Sequence, residues 1–261
     1  MSRNGFALLA VLWVITALTA LAGTGLAVAR LGYETTRNRV LLGRAEWARE
    51  ACGEILLARF ATDPSIRRTA TIDLGRGTWC RASLDDPSAK LNLNTADREA
   101  LLTLSRALGV QQAIAESALV LRTRDTIYAL TQIPGVDSAV ADCLSPFVTT
   151  RGTGVVNVTV APPEVLRALP GVTEEAVLVL MGRRTVRPFQ SADEFAGALS
   201  RSARTTLLNS YPEFVRTTVF VSPQLIATIE GGVGGTPIVA RATLTTVPVP
   251  GRLAVIRRET E

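Results

Sequence analysis

The chain has 261 residues, 47% hydrophobic and 20% charged, which is enough apolar material for a sizeable core and too much for a disordered protein. Arginine carries nearly all the positive charge, since Lys90 is the sole lysine, and a formal net charge of +5 favours an anionic partner without choosing among lipid, protein and nucleic acid. Histidine is absent, which excludes Ser/His/Asp and Cys/His catalysis and every histidine-containing metal site; Cys52, Cys80 and Cys143 form no CxxC pair, so no zinc site is expected.

Residues 1–5 are short, polar and basic, and an apolar run opens abruptly at Phe6 and carries no ionisable side chain through Ala29. As a helix, residues 6–29 extend roughly 36 Å at about 1.5 Å per residue, which spans a bilayer core. Phe6, Leu8, Leu9, Leu12 and Trp13 begin this expected membrane anchor. A secretory signal puts its small-residue cut site after the apolar core, whereas Gly5 comes before it. Gly5 followed by Phe6 resembles the type IV prepilin site. That resemblance implies removal of residues 1–5 by prepilin peptidase at the cytoplasmic face, N-methylation of Phe6 and retention of the helix; an uncleaved signal anchor is the alternative. Arg30, Arg37, Arg39 and Arg44 follow the run, against the positive-inside tendency. So short a leader is nevertheless expected to stay inside, giving a single-pass inner-membrane protein with a cytoplasmic N-terminus and a periplasmic C-terminal region.

Pilin-like subunits usually have a glutamate at the fifth residue after the cut, where it neutralises a neighbour's terminal ammonium in an apolar surrounding. Here that residue is Ala10, which suits a subunit that starts a fibre or sits at its tip. The helical pattern continues to about residue 60, with Leu31, Val40, Leu41, Ala45, Ala48, Cys52, Ile55 and Leu56 near one face, and Asp63-Pro64 stops it.

Residues 61–90 form the first part of a sheet domain, with strands at 69–74 and 78–84 around the turn Gly75-Arg76-Gly77. Cys52 and Cys80 can pair in an oxidising compartment, leaving Cys143 free; three buried, small apolar side chains fit equally well. Residues 213–261 form the second part, read as strands at 217–230, 236–247 and 252–258 separated by Gly231-Gly232-Val233-Gly234-Gly235 and Pro248-Val249-Pro250-Gly251.

Between them, residues 91–212 read as an all-helical insertion with an internal repeat. Leu91-Asn92-Leu93-Asn94-Thr95-Ala96 returns as Val156-Asn157-Val158-Thr159-Val160-Ala161, each an extended lead-in to a helix. Leu130-Thr131-Gln132-Ile133-Pro134-Gly135-Val136 and Leu166-Arg167-Ala168-Leu169-Pro170-Gly171-Val172 resemble helix-hairpin-helix turns, and Ser191-Ala192-Asp193-Glu194 is a capping box. Paired hairpins on a membrane-anchored chain would suit a DNA receptor of a competence system. The phosphate-binding triplet is Gly-apolar-Gly, however, and Gly135-Val136-Asp137 and Gly171-Val172-Thr173 place a carboxylate or bulk where phosphate would sit. A structural or protein-contact role is therefore expected over DNA; Arg122, Arg124, Arg183, Arg184 and Arg187 are the candidate phosphate contacts, with surface solvation as their default reading.

The ordered set of Gly5 to Trp13, Ala10 in the glutamate position, Leu91 to Ala96 and the two Pro-Gly hairpins resembles the general secretion pathway protein K family, the large minor pseudopilins of type II secretion. The resemblance implies an α+β fold: a long N-terminal transmembrane pilin-like helix, an antiparallel sheet domain and a large insertion of helix-hairpin-helix, SAM-like character. It implies a non-enzymatic subunit that initiates or caps the pseudopilus for export of folded proteins across the outer membrane. Its implied partners are minor pseudopilins of types I and J, the major pseudopilin, prepilin peptidase and the inner membrane. Some family members bind calcium in the sheet domain. Here Glu230 is isolated and the Asp85-Asp86 pair reads as a loop cap, so no metal or cofactor site is assigned.

Overall fold

The structure, a computed structural model, describes residues 3–62, 70–249 and 252–260; Met1, Ser2, the expected Asp63-Pro64 stop and Pro250-Gly251 lie outside the described residues. Helix α1 (Arg3–Thr62) is unbroken, and residues 11–40 are exposed along their whole length. Only its last third docks on the protein, through Ala45, Ala48, Cys52, Gly53 and Leu56, at the spacing that puts them on one helical face. Leu31 and Val40, expected on that face, are instead 64% and 58% exposed. The sheet begins only opposite Arg44, whose guanidinium donates to the Arg76 carbonyl at 2.6 Å and to Thr78 Oγ1 at 2.7 Å. Arg76 lies in the turn between β1 (Ala70–Gly75) and β2 (Thr78–Asp85), where Gly75, Arg76 and Gly77 all take positive φ.

The insertion follows β2. In chain order it comprises β3 (Leu91–Asn92), α2 (Arg98–Ala107), α3 (Gln112–Leu121), α4 (Ser138–Leu144), β4 (Val148–Thr149), β5 (Val156–Asn157), α5 (Pro163–Arg167), α6 (Glu174–Arg183), α7 (Ala192–Ala198), α8 (Arg201–Asn209), α9 (Tyr211–Thr217) and β6 (Thr218–Val219). One apolar core joins these elements, with Leu104, Ile127, Leu166, Leu207, Phe189, Phe195 and Phe214 fully buried. The region is not wholly helical. Each extended lead-in needs backbone partners, and finds them in a two-residue parallel pair, β3 with β4 and β5 with β6. The expected strand from Thr217 is also corrected, because Thr217 ends α9 and Phe214 is buried in the helical core.

The chain then returns to the sheet as β7 (Leu225–Val233), β8 (Val239–Val249) and β9 (Arg252–Thr260), giving an antiparallel order β1-β2-β7-β8-β9. Gly231 and Gly232, expected to separate strands, lie within β7. A Cβ on Gly231 would collide with the Ala45 carbonyl oxygen and the Arg49 backbone nitrogen, and one on Gly232 would collide with the Trp79 indole. Glycine here is therefore a packing device that lets α1 touch the strand backbone. A second core of Cys52, Leu56, Cys80, Ala82, Ala227, Ile229 and Leu244 seals the contact, and a disulfide between Cys52 and Cys80 fastens helix to sheet. Closing a loop with a 28-residue separation contributes about 3.6 kcal/mol in the chain-entropy description. Cys143 is exposed and free.

These contacts also orient the molecule. Arg44 and Ala45 meet the β1–β2 turn and Gly231, whereas Gly53, two turns further along α1, meets Ile229. Strand β7 thus runs against α1, and the insertion, which leaves after Asp85 and returns before Leu225, emerges at the end of the sheet remote from the apolar segment.

Candidate functional site

Two regions carry the features singled out in the sequence. The first is the exposed apolar part of α1, which contains an 18-residue window with a mean hydropathy of 2.0. Leu12 and Trp13 are 59% and 73% exposed; Gly5, Phe6, Leu8 and Leu9 lie on the helical backbone at its start. The polar atoms in this stretch are satisfied internally. Thr16 Oγ1 donates to the Leu12 and Trp13 carbonyls, Thr19 Oγ1 to those of Ile15 and Thr16, and Thr24 Oγ1 to that of Leu21. A hydroxyl bonded back to its own helix leaves no donor unpaired in hydrocarbon, so the segment is chemically suited to a bilayer. The solvated part opens with Arg30 and Glu34, paired at 3.3 Å.

The second region is the duplicated insertion. In the first half the Asn92 side-chain oxygen accepts from the Asn94 backbone at 2.9 Å; in the second, Asn157 accepts from Thr159 at 3.0 Å. An arginine at the end of the following helical stretch then locks each lead-in. Arg122 donates to the Leu93 and Ala96 carbonyls at 3.2 and 2.5 Å, and Arg184 to those of Val158 and Ala161 at 3.3 and 2.6 Å. Sequence reasoning assigned both arginines to solvent. Their signal was present, because each follows its copy of the repeat at a similar distance, but an offset does not show which way a guanidinium points.

The hairpins are built around Pro134-Gly135 and Pro170-Gly171, whose glycines take φ of 86° and 69°, conformations that most side chains avoid. Asp137 sits at the N-terminus of α4, where its carboxylate accepts from the Val140 backbone at 2.8 Å. Thr173 caps α6 through the Ala176 backbone at 3.3 Å. A Cβ on Gly171 would lie 3.1 Å from Leu207 Cα, Ser210 Cβ and the Thr206 carbonyl oxygen, so the second hairpin packs closely against the end of α8. Arg183 stacks over Phe189 at 4.4 Å and pairs with Glu194 at 3.4 Å. Arg124 and Arg187 are exposed. The caps are thus filled by protein groups, and Arg122, Arg183 and Arg184 are engaged internally.

Electrostatic ties around the second hairpin are local. The Arg167 guanidinium makes two 2.8 Å bonds to Glu174, which hold that carboxyl below its ordinary range and raise Arg167. Ser200 donates from its hydroxyl and backbone to Glu175, lowering it as well. The hydrogen bond to Asp193 pushes the Tyr211 phenol up.

A buried polar knot joins the insertion to the sheet. The Asp86 carboxylate caps the short turn at Pro87–Ala89, accepting from the Ser88 backbone at 3.0 Å, and also accepts from the Ser222 hydroxyl. Ser222 accepts in turn from the Asn157 side chain at 2.9 Å. The outgoing connection, the returning connection and the second repeat are thus fastened at one point. Glu230, the isolated strand carboxylate, is engaged by Arg81 at 3.8 Å and Arg241 at 2.8 Å.

No protein-family model matches the sequence, and no curated protein matches it. Among solved structures, the fold is similar to a chain of the crystal structure of the GspK-GspI-GspJ complex from the enterotoxigenic Escherichia coli Type 2 Secretion System. The TM-score is 0.61 at 16% identity, and the likeness covers 87% of this chain and 99% of that chain.

Proposed function

We propose that this chain is a minor pseudopilin of the K type, a non-enzymatic subunit at the tip of the type II secretion pseudopilus. The observation that carries the reading is the placement of its parts. A bilayer-length exposed helix leaves one end of a small antiparallel sheet and a bulky insertion rises from the other, in a fold similar over most of its length to a chain of the GspK-GspI-GspJ complex. In a fibre of stacked stalks, such an insertion leaves no room for another subunit above it. Assembly with minor pseudopilins of types I and J, supported by the likeness to a chain of the GspK-GspI-GspJ complex, and with the major pseudopilin below belongs to the same reading, as does export of folded proteins across the outer membrane as the fibre grows beneath the cap. Ala10 in place of the customary glutamate supports the same terminal position.

Processing by prepilin peptidase would cut between Gly5 and Phe6 and leave Phe6 as an N-methylated terminus. This bond lies in the first described turn of helix α1, so processing requires only the end of that helix to open. The Cys52–Cys80 disulfide supports an oxidising compartment for everything beyond the anchor, hence an inner-membrane protein facing the periplasm.

N-terminal sequencing and intact mass of the membrane-extracted protein test the reading. The expected product begins at methylated Phe6, and Gly5→Leu should block processing and secretion together. Normal secretion by Gly5→Leu, or a mature product that starts beyond Ala29, would overturn it.

A further inference from the structure

The first half of the insertion overhangs the face of the sheet that α1 does not cover, and a cleft of about 360 Å³ lies between them. That volume falls within the range of roughly 300–1,000 Å³ usual for small-molecule sites. Strand register builds the floor. Ile226, Thr245 and Arg257 stand side by side on β7, β8 and β9, and Thr243 is paired with Glu259 in the neighbouring row. Ala227, Ile229 and Leu244, which alternate with them, belong to the core under α1, so these two rows face the other way. The opposite wall consists of the loop at 126–128, where Tyr128 is 70% exposed, and the loop at 150–152, which carries Arg151.

Both loops are fastened by the first copy of the repeat. The Asn94 amide donates to the Ile127 and Thr150 carbonyls at 3.0 and 3.2 Å and accepts from the Ile127 backbone at 2.9 Å, while Asn92 donates to the Arg151 carbonyl at 3.0 Å. The Thr150 hydroxyl ties one loop to the other through the Tyr128 carbonyl at 3.0 Å. In the second copy Thr159 stands where Asn94 does, and its hydroxyl bonds to the adjacent Asn157 side chain at 2.8 Å instead of bridging two loops. The bridge therefore belongs to the half that faces the cleft, and it holds that wall in place before any ligand arrives.

The side chains that line the cleft are unspent. Among the described residues the Arg151 guanidinium, the Tyr128 phenol, the Gln224 amide and the Thr243 and Thr245 hydroxyls have no hydrogen-bond or ion-pair partner. Arg257 is paired with Glu259 at 2.8 Å, so Arg151 supplies the one uncompensated charge. Side-chain donors and acceptors set around an aromatic ring and an isoleucine match a ligand with hydroxyls on its rim and C–H groups on its faces, which describes a sugar ring. An extended peptide would need free backbone groups, and those of β7 and β8 are taken up in the ladder. A single positive charge is too little for a nucleic-acid backbone. We infer that the cleft binds a carboxylate-bearing glycan, with Tyr128 against a sugar face, Gln224, Thr243 and Thr245 on its hydroxyls and Arg151 on the carboxylate. This goes beyond the pseudopilin reading and does not depend on it.

Isothermal titration and saturation-transfer NMR on the full-length protein in phospholipid nanodiscs, which contain no sugar, test the assignment. The probes are the disaccharide of N-acetylglucosamine and N-acetylmuramic acid, digalacturonic acid, neutral chitobiose and an acidic tetrapeptide. At least one acidic disaccharide is expected to bind several-fold more tightly than chitobiose. Preference for the muramic acid probe would identify cell-wall glycan as the source, and preference for digalacturonic acid an acidic polysaccharide; either supports the site. Tyr128→Ala should weaken all sugar binding several-fold, whereas Arg151→Gln should abolish the preference for acid and leave chitobiose binding unchanged. Arg187→Gln, at an exposed arginine outside the cleft, should alter neither, and thermal unfolding reports that each variant is folded. Absence of sugar binding, chitobiose bound as tightly as the acids, preference for the tetrapeptide, or indifference to Tyr128→Ala and Arg151→Gln would overturn the site. None of these failures would touch the pseudopilin reading, which is read from processing and secretion.

Discussion

The two halves of the insertion close their lead-ins with the same parts and fill their interiors differently. Both use an asparagine turn, a two-residue parallel pair and an arginine over two carbonyls. The second half then packs three phenylalanines, with ring centroids of Phe189 and Phe195 5.4 Å apart and of Phe195 and Phe214 5.8 Å apart. The first half has no such cluster. Between α2, α3 and α4 it keeps a cavity of about 40 Å³ lined by residues such as Leu104, Ile114 and Leu144, with the buried Ser105 hydroxyl lacking a hydrogen-bond partner among the described residues. The second half also supplies Asn157 to the knot at Asp86 and Ser222. Duplication therefore preserved the devices that satisfy the backbone, while tight packing is concentrated in the half that fastens the insertion to the sheet.

Five substitutions bear on that contrast. Phe195→Ala should be the most damaging, at about 3–5 kcal/mol, because its neighbours are rigid rings that cannot collapse into the space. Leu104→Ala, beside an existing cavity, should cost less in thermal or denaturant unfolding of the detergent-solubilised protein, and equal costs would break the contrast. Arg122→Ala and Arg184→Ala should each lose about 2–3 kcal/mol, since each leaves two partly buried carbonyls without a charged donor. Similar losses would establish that the locks are equivalent, and a much smaller loss for one would show that the repeat is only formal. Ser105→Ala should have the smallest effect and the opposite sign, stabilising the chain by about 1 kcal/mol as an unpaired buried hydroxyl is removed. A destabilisation there would mean that the hydroxyl is satisfied, and that the first half is better packed than its cavity suggests.

Much of this architecture could be read from local pattern. The uninterrupted apolar run and its amphipathic continuation specified α1; Gly75-Arg76-Gly77 between β-branched stretches specified the first hairpin. Pro134-Gly135 and Pro170-Gly171 marked turns because proline stops a helix and glycine takes the positive φ that other residues avoid. Ser191 caps α7 through the Glu194 backbone at 3.2 Å, as its spacing implied. Elsewhere the same local reasoning misled. Glycine at 231 and 232 signals a break to a reader of neighbours, yet these residues stay in β7 because α1 and Trp79 press on the strand. Leu31 shares the docking face but lies short of the sheet, which begins opposite Arg44, whereas Val40 is on the other side of the helix; the sequence says neither where along α1 the sheet begins nor which face it meets.

What the sequence alone determined is whatever depends on residues within a few turns of one another: the length and polarity of the anchor, the hairpin turns, the helix caps and the existence of a repeat. Tertiary structure decided which side of α1 meets the sheet, that Cys52 reaches Cys80, that Arg122 and Arg184 turn inward, and that Asp86 meets Ser222 across 136 positions. The reason is physical. Backbone conformation and periodicity are set by short-range sterics, whereas the direction of a side chain and the identity of its partner depend on a packing surface that forms only once distant segments have come together.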